Sequence, residues 1–275
     1  MAEAWADNAG CRRFEGVLTL LASAAATQTA LTELVAAYRK KGRKMRAAQL
    51  DIPTLIPKID KILKRGLCPG VGTRGGLMCI EAALCYALDL PHGDDPGCVP
   101  ASVRYFKLAL NDSQWSSPIA RAKGLRDLGI AQLGSKEVVD SYEFSKRISE
   151  ATIKTLIPKL FRTFSSSKML AAANRCEKEG TAAAAAAAVV AAQYAAADAA
   201  TDAAADAADA AAAAAAAATD AATDVVAAAA AAVVAAQYAA DAAAAKTGKD
   251  EYLLLSASIA LQILKDLKSP GAAYV

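Results

Sequence analysis

The run Gly70-Val71-Gly72-Thr73-Arg74-Gly75-Gly76 is the segment best equipped to meet a charged ligand. Its glycines free the backbone to turn successive N–H groups toward one point. A helix expected from about Leu77 to Leu90 would add the partial positive charge of its N-terminus. Thr73 supplies a hydroxyl, and Arg74 a planar fork that matches phosphate oxygens. The run lacks the Walker lysine and follows no strand, so it is neither a P-loop nor a dinucleotide fingerprint. A plain helix–helix connection accounts for the same glycines.

Other polar groups gather downstream. Glu81 is flanked at helical spacing by Leu77, Met78, Leu84, Cys85 and Leu88. A carboxylate on that face is costly to bury alone. It is therefore expected to pair with Arg74, Arg104 or Arg126, either as a structural ion pair or as a group that recognises a ligand amine. His92 is the only histidine and lies in the tight loop Pro91-His92-Gly93-Asp94-Asp95-Pro96. It reads as an exposed loop residue, or as a ligand contact or general base oriented by Asp94. Cys98 or Cys79 beside it would make a nucleophile pair. Trp115, just before a helix start, reads as a packed anchor, or with Arg121 as a platform for a base. Arg121 with Asp112 could instead brace the loop. Cys79, Cys85, His92 and Cys98 have zinc-type donors, but their spacing matches no compact zinc module, so no metal is expected. No cofactor is expected either.

All-α elements must position these groups. The expected helices cover 11–38, then Pro53 to Gly66, 77–90, 103–110, Pro118 to Leu133 and a stretch from Ser141 or Ser145 that Pro158 interrupts. Ser117 reads as an N-cap with Pro118 at the first helical position, and Gly134 as a stop. Lys58, Lys61, Lys64 and Arg65 line the polar side of the helix begun by Pro53. A basic cluster, Arg39 to Arg46, reads as a solvated helix end or an anion-contacting patch.

The most distinctive segment is residues 181–245, of which 44 are alanine and none is glycine or proline. One helix of 65 residues would be roughly 100 Å long. A compact chain of this length is only about 40 Å across, so the tract must fold back. Thr201-Asp202, Thr219-Asp220 and Thr223-Asp224 are its capping-type turn points, and a break between Ala218 and Val225 is expected. The decapeptide AAVVAAQYAA occurs at Ala187–Ala196 and at Ala231–Ala240. Its Val189, Val190, Tyr194, Val233, Val234 and Tyr238 are expected as the larger knobs between two matched helices. Asp198, Asp202, Asp206 and Asp209 fall on one helical stripe. Threonine does not recur every 11 residues, which excludes an ice-binding helix.

The net charge of +3 conceals a division: residues 1–180 hold 27 Lys+Arg against 18 Asp+Glu, whereas 181–245 hold seven Asp and no Lys or Arg. The basic part is thus expected to meet an anion, be it the chain's own acidic helices, a nucleotide or a nucleic acid. Nucleic acid ranks last, because aromatics do not interleave with the cations. No run of large apolar residues is long enough to span a membrane, and the N-terminus carries no signal pattern. Six cysteines without a CxxC pair read as reduced thiols, so a cytoplasmic protein is expected. The expected architecture is a multi-helix bundle with a long Ala-rich helical hairpin. Residues 1–180 would form a basic helical domain, and 181–275 the hairpin with a C-terminal helix, packed as one unit.

The segments CIEAALCYALDLPHGDDPGCV, LNDSQWSSPIARAKGLRDLGIAQLGS and RCEKEGTAAAA, with the final LKSPGAAYV, resemble a group of uncharacterised Ala-rich helical proteins of tailed bacteriophages and bacteria. The tract also resembles that of immunity proteins in bacterial toxin systems. The resemblance carries no catalytic residue. It implies a phage or bacterial source, a place in the bacterial host cell and an accessory role in phage–host conflict. With the residues above, it leads to an expected binding protein that sequesters a small anionic, nucleotide-like ligand through Gly72, Thr73, Arg74, Gly75, Glu81, His92, Trp115 and Arg121, without catalysis. An immunity or inhibitor protein with a protein partner is the second expectation, and a hydrolase using His92 the third. Alanine-coated faces suit pairing between chains, so a homodimer is also expected.

Overall fold

A computed structural model describes residues 50–199, 202–221, 224–247 and 250–275. The helix expected over 11–38 and the basic cluster Arg39–Arg46 lie outside the described residues. Those described belong to one compact unit that spans Arg46–Val275. Among them, residues of the basic segment and of the Ala-rich segment share one core. The regular elements among the described residues are all helical, as expected, apart from one isolated bridge between Gly72 and Met78. No described helix is long and apolar enough to cross a membrane.

Helix α1 (Ile52–Leu63) buries Ile52, Leu55, Ile59 and Leu63, the four-residue rhythm of one helical face. Gly66, at φ +90°, turns the chain where a β-carbon would strike Pro118. Helices α2 (Ile80–Ala87), α3 (Ala101–Asp112) and α4 (Pro118–Ala131) follow. Ser117 caps α4 as expected, its hydroxyl accepting from the Ala120 N–H at 3.0 Å. Gly134, left-handed at φ +74°, closes the turn after it. Asp140 caps α5 (Ser141–Ala151).

Pro158 cannot donate a helical N–H. The chain accommodates it with a widened π-type turn at Thr152–Leu156 before α6 (Ile157–Phe161). Helix α7 (Ser167–Glu179) ends on left-handed Gly180. Edge-to-face Phe106 and Phe144, with centroids 5.9 Å apart, tie α3 to α5.

The alanine tract forms α8 (Ala182–Ala199), α9 (Asp202–Asp220) and α10 (Val225–Thr247). The expected break between Ala218 and Val225 is there. Helix α8 is described to Ala199 and α9 from Asp202, and the two pack against each other, so the tract supplies three packed helices where a hairpin of two was expected. Helix α9 packs along both α8 and α10, while α10 also touches α3, α5 and α11 (Glu251–Asp266). Methyl side chains permit this crowding. Ala207, Ala210, Ala211, Ala214 and Ala217 are sealed on one face of α9. The buried Ser149 hydroxyl even reaches across from α5 to the Ala217 carbonyl oxygen at 3.0 Å. The two decapeptide copies sit on α8 and α10 and are each packed against α9. Val233 is buried, but Val190, Tyr194 and Val234 are exposed. These side chains are therefore not knobs between matched helices as expected, because α9 takes the position the second copy would have needed.

After α11 the chain closes with a short 3-10 turn, Pro270–Tyr274, against α4. The Gly271 N–H donates to the Leu133 carbonyl oxygen at 3.0 Å. A β-carbon on Gly271 would overlap the Ile130 carbonyl oxygen. Gly271→Ala is thus expected to lower unfolding free energy by about 1–3 kcal/mol. Urea denaturation checks this, and a variant as stable as the parent would mean that the turn has room to spare.

Candidate functional site

The glycine run does not open toward a ligand. It folds back on itself as a small hairpin. The Cys68 N–H donates to the Met78 carbonyl oxygen, that of Thr73 to Leu77, that of Gly76 to Thr73 and that of Cys79 to Val71. The Gly70 N–H donates to the Asp112 carboxylate at 2.8 Å. Gly72 sits at φ +70°, and a β-carbon there would overlap Leu77, Met78 and the Cys68 sulfur. Its glycine is required for close packing. Helix α2 begins at Ile80, three residues later than expected, because Leu77 and Met78 are spent on the hairpin. Its N-terminus is buried and occupied. Cys79 Sγ accepts from the Ala82 N–H at 3.3 Å, and Asn111 Oδ1 from the Ile80 N–H at 3.3 Å. Asn111 Nδ2 also donates to the Cys68 carbonyl oxygen at 2.9 Å. The Asn111-Asp112 pair therefore bolts the loop down with carboxylate and amide groups. The N–H groups of Gly70, Thr73 and Gly76, and the helix end counted on for an anion, are already used.

Glu81 is fully buried, and so is its partner. The Lys107 ammonium lies 3.0 Å from Glu81 Oε1, with neither side chain exposed. Gln132 Nε2 donates to both carboxylate oxygens, at 3.0 and 3.2 Å. Burial drives the Glu81 pKa up and the Lys107 pKa down, and their mutual attraction opposes both shifts. The expected arginine partners are engaged elsewhere: Arg104 with Asp94 at 3.3 Å, Arg126 with Asp60 at 2.7 Å, Arg74 over the Tyr86 ring. This pair is a core element, out of reach of a ligand.

The remaining expected contacts separate in the same way. His92 is exposed, and its Nε2 donates to the Gly72 carbonyl oxygen at 3.1 Å. Asp94 is held by Arg104 rather than orienting that imidazole. Cys79 and Cys98 are buried, and desolvation raises both thiols, Cys79 to about 11. The geometry therefore does not assemble the His92 hydrolase. Trp115 is buried and donates from Nε1 to the Leu110 carbonyl oxygen at 2.8 Å. Arg121 is buried too, donating to the carbonyl oxygens of Leu67 at 3.1 Å and Ser113 at 3.2 Å. It braces the loop, as one reading expected, but through these carbonyls rather than through Asp112. Neither residue forms a platform.

Of the expected contact set, Arg74 lines a sizeable cleft. This cavity, about 430 Å³, lies between α1 and the hairpin with α2, and is bounded by Lys58, Lys61, Ile62, Arg65, Arg74, Met78, Tyr86 and Asp89. Lys58, Lys61 or Ile62, and Arg65 recur at helical spacing on one face of α1 and its end. Met78 is buried beneath them. Arg65 donates to the Gly75 carbonyl oxygen at 2.8 Å, which fixes its guanidinium beside the hairpin tip. Arg74 packs over the Tyr86 ring at 5.5 Å from its centroid. At the other end Lys58 meets Asp89 at 3.4 Å and the Ala87 carbonyl oxygen at 3.4 Å. Asp89 stands at φ +55°, where it ends α2. Among the described residues, four cations thus face one cleft that holds a single carboxylate. The cation spacing on α1 was visible in the sequence; that α2 and the hairpin tip complete the opposite wall was not.

No protein-family model matches the chain, and no curated protein and no solved structure is significantly similar to it.

Proposed function

We propose that the chain is a binding protein that takes up a small anionic, nucleotide-like ligand in the cleft between α1 and α2, without catalysis. One observation carries this reading: Lys58, Lys61, Arg65 and Arg74 surround a ligand-sized cavity with only Asp89 to balance them. In a recess the low-dielectric walls concentrate that field, which favours an anion over its hydrated state. The site residues move accordingly from the hairpin backbone to side chains at its rim. Together with the resemblance to phage and bacterial Ala-rich proteins, the reading points to sequestration of a nucleotide signal in phage–host conflict.

Native mass spectrometry of the purified full chain tests it. A co-purified or added nucleotide is expected to ride on the protein and to leave when Lys61→Glu and Arg74→Glu are combined. Both side chains are exposed, so the double variant is expected to keep its melting temperature. Ligand retention by that variant, or no adduct with any anion, sinks the proposal.

A second reading, a protein partner, draws on one different observation. Val190, Tyr194 and Val234 are exposed large side chains on the otherwise alanine-coated α8 and α10. A stoichiometric protein partner lost on Val190→Ala with Tyr194→Ala would support it.

A further inference from the structure

The cleft is not evenly basic, and its asymmetry says more about the ligand than its charge does. Arg65 is fixed at the hairpin tip through Gly75, and Arg74 follows from the same tip. Lys61 precedes Arg65 by four residues, one helical turn. Among the described residues these three line the cleft without a carboxylate partner. Lys58 stands about 10 Å along the axis from Arg65, by the rise per residue, and is the cation already answered by a carboxylate. An anion gains most at the hairpin end and is repelled by Asp89 at the other. A single compact phosphate would leave part of that triad unanswered, whereas a run of phosphates reaches all of it.

The cleft also has an aromatic wall. Tyr86 is 43% exposed and lines the cleft. Arg74 stacks on that ring, so a planar ligand group would extend an arrangement already begun. The floor, Met78 with Ile62, is apolar and suits the body of a base or sugar. Asp89 then faces the part of the ligand that carries hydroxyl or amino donors.

Resting on the anion-binding reading above, we infer that the cleft takes a nucleoside di- or triphosphate, with its phosphates on Lys61, Arg65 and Arg74 and its base against Tyr86. The phosphates face the tip of the glycine hairpin, and the hairpin serves them by presenting Arg74 and holding Arg65 rather than by its N–H groups.

Isothermal titration of the full chain separates this inference from the reading beneath it. The probes are ATP, tripolyphosphate, inorganic phosphate, adenosine and a cyclic dinucleotide. ATP is expected to bind roughly tenfold more tightly than tripolyphosphate, the increment one stacked base contributes. Inorganic phosphate and adenosine are expected to bind far more weakly. Tyr86→Ala is expected to collapse the ATP-to-tripolyphosphate ratio toward one, and Tyr86→Phe, which keeps the ring, to preserve it. Equal affinities for ATP and tripolyphosphate, unmoved by Tyr86→Ala, would overturn the nucleotide while leaving an anion site. A cyclic dinucleotide that binds more tightly than ATP would overturn the linear phosphate run. Failure of every anionic probe would overturn both the inference and the reading on which it rests.

Discussion

Lys107→Met is expected to cost about 3–5 kcal/mol of unfolding free energy, because it leaves the Glu81 carboxylate buried without its cation. Neither side chain of the pair is exposed, and Gln132 alone would remain to hydrogen-bond the carboxylate. The deficit has a sign in pH. Burial raises the folded-state pKa of Glu81 above its unfolded value, and removal of the ammonium raises it further. The folded variant then binds more protons than the unfolded chain above the ordinary carboxylate range, so its stability falls as pH rises from about 4.5 through the raised pKa. The gap between variant and parent is expected to be small near pH 4.5 and to widen as pH rises through the raised pKa. Urea titrations across that range measure it. The double variant Glu81→Leu with Lys107→Met removes both charges and is expected to recover most of the loss. A Lys107→Met variant within about 1 kcal/mol of the parent at every pH would mean that Glu81 reaches water, contrary to its burial.

Trp115→Ala is expected to destabilise by about 3–5 kcal/mol, the range for emptying an aromatic site in a core. The indole lies over Gly124 of α4, where a β-carbon would overlap its ring, and close to Leu254 of α11. It also answers the last turn of α3 through the Leu110 carbonyl oxygen. One side chain therefore joins three helices. The neighbouring Ser116 donates to the Asp250 carboxylate, the residue before α11, and reinforces the same junction. The two roles weighed for this tryptophan give opposite outcomes. A stacking platform would lose ligand affinity at unchanged stability, whereas the anchor loses stability first. Denaturant titration alongside nucleotide binding decides between them. Unchanged stability with lost binding would return Trp115 to the site and displace the cleft.

The functional groups picked out from spacing were real centres of interaction, but most of them face inward. Glu81, Trp115 and Arg121 each carry a polar function that needs partners when buried, and each finds them within the protein, Arg121 through its two terminal nitrogens while its Nε has none. The glycines of the hairpin are likewise consumed in its own turns. A dense polar stretch in a sequence looks the same whether its donors meet a ligand or one another. The LNDSQW stretch shows the point: Asn111 and Asp112 fasten a loop some forty residues earlier in the chain, which no local pattern announces.

What the linear chain decided by itself is local. An alanine tract without glycine or proline must be helical, and Thr-Asp pairs are where it can stop. Ser117-Pro118 must start a helix, and Gly66 and Gly134 must turn, because propensity, capping and left-handed backbone act within a few residues. The tertiary structure decided which cations share a space. Glu81 found Lys107 rather than an arginine because α2 and α3 pack with those side chains opposed. Lys61, Arg65 and Arg74 became one site because α1 lies against the hairpin and α2. Charge acts over the distance between side chains in space, and packing sets that distance while separation along the chain does not.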